Sequence, residues 1–137
     1  MQLNKKGFTL IELVIVLAVI GILSTFMVPK FTAIQDRAKE QSLKTVARSI
    51  QIALETYYLS EGAYIKGDEI TIEQVIKQLK DKQLIQDQLL NPFTNATFTS
   101  TDGSGKITYS YSDDTGVYEG AVFGKENKDV IFNFSNQ

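Results

Sequence analysis

An α+β architecture is expected for this chain: a long N-terminal helix, able to span a membrane in its first half, packed against a small antiparallel four-stranded sheet. Three features point to it. Residues 8–28 (FTLIELVIVLAVIGILSTFMV) are apolar throughout except for a single charge, Glu12. Apolar side chains then recur at spacings of three and four from Phe31 to Tyr57, the period of an amphipathic helix. The last third of the chain alternates with a period of two between Gly- and Asp-containing turns, as half-buried strands do.

The apolar run comes first. At about 1.5 Å per residue, a helix of this length covers roughly 30 Å, the thickness of a bilayer's hydrocarbon core. Lys5 and Lys6 are the only charges upstream, so the positive-inside bias places this end in the cytoplasm and the rest of the chain outside. A secretory signal peptide would need a shorter apolar stretch and a small-residue cleavage site, whereas Phe26-Met27-Val28-Pro29-Lys30 follows. A plain anchor explains the length but not Glu12, because an acid in a spanning helix asks for a partner.

Lys5-Lys6-Gly7-Phe8-Thr9-Leu10-Ile11-Glu12 resembles the leader and processing motif of type IV prepilins and the related pseudopilins. The resemblance runs through the apolar helix to Pro29, where many of these proteins break the helix. It implies cleavage between Gly7 and Phe8, N-methylation of Phe8, and an assembly role for Glu12 and Phe8. It also implies the pilin fold. Physical chemistry agrees: cleavage would leave a cationic amine at a helix N-terminus, where the macrodipole disfavours positive charge, and a carboxylate one turn on relieves it. Paired with the amine of a neighbouring copy, Glu12 would set register, since either charge alone in an apolar bundle is worse than both together.

Pro29 cannot donate to the Thr25 carbonyl and clashes with that turn. With Gly21 it makes residues 21–29 the weakest stretch and the expected helix break. Beyond it the amphipathic helix ends near Gly62, so the helix is expected over residues 8–60. Thr71-Ile72-Glu73-Gln74 has the form of a capping box and opens a second, short helix. Asn91-Pro92 reads as a turn. Strands are expected at 98–101, 106–112, 117–123 and 129–135, with Val130, Phe132 and Phe134 facing the helix. For 117–123 the alternation does not choose a face. Organisation follows: 1–7 a cleaved leader, 8–28 membrane span and filament core, 29–61 amphipathic continuation, 62–137 a globular head.

Composition bounds the chemistry. The chain has 137 residues, a net charge of -2, no Cys and no His. That excludes disulfides, thiolate or Ser-His-Asp nucleophiles and the usual nitrogen and sulfur zinc sites. No enzyme, cofactor or metal is implied. Asp102, Asp113 and Asp114 lack a calcium-loop spacing and read as ordinary turn residues. Lys39, Lys44 and Arg48 are interleaved with acids, and past Gly62 seven Lys face eleven Asp and Glu, so direct nucleic-acid binding is not expected.

The resemblance thus implies a structural subunit of a type IV pilus, held in the cytoplasmic membrane by one span and then assembled into a surface filament of its own copies. Its implied partners are a prepilin peptidase, a membrane assembly platform and that platform's ATPase. Adhesion, twitching, DNA uptake and secretion are the uses open to such a filament. The absence of Cys sets the chain apart from the many Gram-negative pilins with a disulfide-closed C-terminal loop. A pseudopilin of a competence or type II secretion system is the alternative; a single-pass membrane-anchored binding domain is a second. A carboxylate-only glycosidase is compatible with composition alone.

Overall fold

The computed structural model describes residues 7–67, 69–86 and 88–137; Lys5 and Lys6 lie outside them. In order, the elements are α1 (Leu10–Glu61), α2 (Ile72–Asp81), β1 (Ile107–Ser112), β2 (Val117–Phe123), a single 3₁₀ turn (Lys125–Asn127) and β3 (Val130–Ser135). The chain divides into two compact units, Met1–Gln35 and Asp36–Gln137, and α1 contributes to both.

In the first unit every described residue is exposed, including Leu13, Val16, Ile20, Leu23 and Phe26. At about 25 cal/mol per Å² of apolar surface left in water, such a helix demands lipid or other helices around it. It is long and apolar enough to cross a membrane. The expected break at Gly21 and Pro29 is absent: α1 stays helical through both. Proline removes one N–H from the ladder, while the adjoining turns keep theirs. Hydroxyls there stay within the helix, Ser24 donating to the Ile20 carbonyl (2.7 Å) and Thr25 to that of Gly21 (3.2 Å).

In the second unit, α1 buries Leu43, Ala47, Ile50, Ala53 and Leu54, one face at helical spacing. Gly62 ends the helix as expected, at φ 74°, its N–H returning to the Tyr58 carbonyl at 2.8 Å. Ile72, Val75 and Leu79 bury the matching face of α2, whose start is capped as its sequence implied: the Thr71 N–H donates to Gln74 Oε1 at 3.0 Å.

The sheet is antiparallel, in the order β1-β2-β3. It has three strands, not four. Residues 98–101 make no ladder because side chains take their donors. The Thr99 N–H and hydroxyl go to the Asp102 carboxylate (3.1 and 2.7 Å), and the Ser100 N–H goes to Glu73 Oε1 (2.7 Å). Burial is the largest single influence on Glu73 and pulls it upward, but hydrogen bonds from the Ser100 N–H, its own N–H, the Thr71 hydroxyl and the Ser100 hydroxyl together outweigh it and hold the carboxyl below its ordinary range. Only an isolated bridge, Leu90 to Thr97, remains of that region's pairing.

Register decides the face that the sequence left open. Tyr118, Gly120 and Val122 point inward, opposite Tyr111, Tyr109 and Ile107 of β1. Gly120 sits against the Phe134 ring, which a Cβ at that position would overlap. A bulge between Val122 and Phe123 shifts the start of β3, so Val130 is half exposed while Phe134 is buried. The expectation that Val130 faces the helix is therefore corrected. Phe132 is partly buried, with the Arg48 guanidinium 5.5 Å above its ring.

Asn91 is the one fully buried polar residue among those described. Its amide donates to Asp102 Oδ2 (2.9 Å) and the Ser104 carbonyl (2.9 Å), and its carbonyl accepts the Phe93 N–H (2.9 Å). Asn127 extends the knot, accepting from Lys106 N–H (3.2 Å) and donating to the Asp102 carbonyl (2.6 Å). These bonds close the long loop between α2 and β1.

Candidate assembly and processing site

Thr9 is the residue just before α1 and Glu12 the third residue inside it. Threonine there offers a hydroxyl to a backbone N–H that has no partner within the helix, and glutamate three residues on can reach back. The structure shows both: the Glu12 N–H donates to Thr9 Oγ1 at 3.3 Å, while Glu12 Oε2 accepts the Thr9 N–H at 2.8 Å and the Thr9 hydroxyl at 2.7 Å. A capping box therefore fixes the carboxylate at the helix start, beside Phe8.

Sequence reasoning found the capping box at Thr71–Gln74 and missed this one, although Thr9-x-x-Glu12 is the same signal. In the uncut chain the Phe8 nitrogen is an amide, so no ammonium is available to Glu12. Glu12 Oε1 has no hydrogen-bond partner among the described residues. Phe8 itself is 92% exposed.

Gly7 has open space where a Cβ would sit. Packing among the described residues does not require glycine there. Gly21 is equally open, and Pro29 lies within the helix.

The remaining candidates have structural duties. Lys39 lies over the Phe93 ring at 5.7 Å, and Arg48 over Phe132, so these bases tie α1 to the head. The Asp102 carboxylate already receives three donors, and Asp113 forms an exposed ion pair with Lys66 at 3.4 Å.

The family model described as the prokaryotic N-terminal methylation motif matches residues 2–28, which include Gly7, Phe8, Glu12 and Gly21; Pro29 lies one residue beyond. The type IV narrow pilus major component PilA5 of Thermus thermophilus is 31% identical over 113 residues, 82% of this chain and 85% of that protein. The chain belongs to the type IV pilin family. This pilin is also 30% identical over 107 residues to the type IV major pilin protein PilE of Neisseria gonorrhoeae, across 78% of the chain and 64% of PilE. With the type IV major pilin protein PilA of Myxococcus xanthus it shares 39% identity over 61 residues, 44% of this pilin and 28% of PilA. It thus spans less than two thirds of those two relatives. No solved structure matches this pilin at a significant level.

Proposed function

We propose that this pilin is a structural subunit of a type IV pilus. A prepilin peptidase cuts between Gly7 and Phe8, Phe8 is N-methylated, and the subunit waits in the cytoplasmic membrane with its N-terminus inside. Copies then leave the bilayer for a surface filament, driven by a membrane platform and its ATPase. The relatives are named as pilus components, which speaks against an enzyme and does not favour the pseudopilin alternative. The observation that carries the reading is the Thr9–Glu12 capping box on a helix with no buried residue before Asp36. Its carboxylate is held in place with one oxygen unengaged, so it can accept the new ammonium of Phe8 in its own chain or in a neighbour. In the filament, residues 21–29 are the stretch expected to loosen, because Pro29 has already removed one bond from that turn.

Mass spectrometry of protein purified from its own membranes tests the processing step. A mature N-terminus at methylated Phe8 is the expected result; an intact leader or a cut near Pro29 overturns it. Glu12→Ala should leave processing and insertion intact and reduce sheared filament yield at least tenfold, whereas wild-type yield would remove Glu12 from assembly.

A further inference from the structure

The three strands contain one charged residue, Glu119, and no Lys or Arg. It stands on the outward face, where cross-strand register builds a small grid. Ser110, Glu119 and Ser135 form one row; Thr108, Ala121 and Asn133 form the next. Ala121, the smallest side chain of the six, lies in the centre of its row, and the face sinks there into a hollow of about 380 Å³. That is at the low end of small-ligand sites, which run from about 300 to 1,000 Å³.

The polar groups around the hollow are weakly engaged. Thr108 and Ser110 reach the carbonyls of Ala121 and Glu119 only at 3.4 and 3.5 Å, and the Ser135 hydroxyl donates to the Gln137 carbonyl at 3.4 Å and accepts the Gln137 N–H at 3.3 Å. These lengths are at the limit of a hydrogen bond. The side chains of Glu119 and Asn133 have no partner among the described residues.

Chemistry selects the ligand class. An anionic ligand is repelled by Glu119 and finds no cation on these strands. A hard metal ion needs several oxygen ligands and ordinarily more than one carboxylate, and here it finds one. An apolar ligand would strip water from the ring of hydroxyl, amide and carboxylate groups without replacing it. A neutral polyhydroxylated ligand meets none of these objections. Its hydroxyls donate to Glu119 and exchange hydrogen bonds with Ser110, Thr108 and Asn133, while a C–H face rests on the Ala121 methyl. The geometry points to the outward sheet face as a binding site for one or two neutral sugar rings, with Glu119 as the principal acceptor and Ala121 as the floor.

The test uses the full chain, isotope-labelled, in dodecylphosphocholine micelles, which contain no sugar. Methyl α-mannoside, methyl β-galactoside and N-acetylglucosamine are titrated separately to about 50 mM, a range that detects millimolar affinity. The expected result is saturable amide shifts, with at least one of the three, confined to residues 108–110, 119–121 and 133–135. Glu119→Gln should weaken that binding about tenfold through loss of a charge-assisted bond, and Ala121→Leu should abolish it by filling the hollow. Asn133→Ala serves as the second variant if Ala121→Leu does not fold, and should weaken binding with the rest of the spectrum unchanged.

No shift with any sugar, or shifts that survive these substitutions, overturns the site. Saturation of the same residues by calcium or by phosphate overturns the ligand class. Sugar bound by the monomer but not by sheared filaments would show that a neighbouring head covers this face, and would overturn it as a surface receptor. The micelle titrations do not depend on the Phe8 and Glu12 experiments; only the filament comparison rests on the proposed pilus assembly.

Discussion

The Tyr118 hydroxyl donates to Glu55 Oε1 at 2.7 Å, and Tyr64 donates to the other oxygen of the same carboxylate at 2.8 Å. Tyr118 is fully buried, and the two rings meet edge to face at 4.8 Å. Burial first, and then the hydrogen bond to Glu55, push Tyr64 up to about 12. The same causes raise Tyr118, and burial chiefly raises Tyr109.

Since the neutral phenol is the form the fold favours, its contribution to stability is whole below the unfolded value near pH 10 and is lost as pH climbs toward and through 12. Thermal melts of the full chain should fall steeply over about pH 10–12 and be nearly flat from pH 7 to 9. Tyr118→Phe should be less stable at neutral pH by about 1–2 kcal/mol and show a shallower alkaline loss. An unchanged alkaline slope in that variant would assign the effect to other groups.

Asn91→Ala removes a buried amide that serves Asp102, the Ser104 carbonyl and the Phe93 N–H at once. A loss of about 2–4 kcal/mol is expected in denaturant unfolding, because the partners stay buried without replacement. Asn91→Asp should be worse, since it sets a second carboxylate against Asp102.

Gly120→Ala places a methyl where the Phe134 ring lies. Overpacking of this kind costs about 1–3 kcal/mol. Phe134→Leu in the same chain should recover part of the loss, a coupling that a double-mutant cycle reads directly. Additive losses would mean that the contact is not the cause.

Thr9→Ala should remove both hydroxyl bonds to Glu12, leaving its carboxylate only the backbone N–H of residue 9, and fray the first turn of α1, whereas Thr9→Ser should preserve the box. Amide exchange at residues 11–13 in micelles is the measurement. Equal protection in the two variants would deny the capping box a role.

Much of this was legible in the sequence where one local rule decides the outcome. Gly62 ends α1 because a left-handed position follows the last turn, and Thr71-x-x-Gln74 starts α2 because its side chains meet only neighbours. The processing motif is legible in the same way, as a contiguous string. What escaped depends on partners far along the chain. Residues 98–101 look like a strand until Asp102 and Glu73 take their donors. Val130 looks inward until a bulge between Val122 and Phe123 shifts it. Asn91 looks like half of a turn signal, and nothing nearby announces that Asp102 and Ser104 will converge on its amide. Thr9-x-x-Glu12 is as legible as Thr71-x-x-Gln74, because its bonds too close within four residues.

The knot at Asn91 has a bearing on how the head matures. Its loop is drawn shut by an amide and a carboxylate instead of a sulfur bridge, so closure needs no oxidant and no isomerase to correct wrong pairings. Folding of residues 36–137, which contain no Cys, is therefore indifferent to redox conditions, and dithiothreitol will not lower their stability.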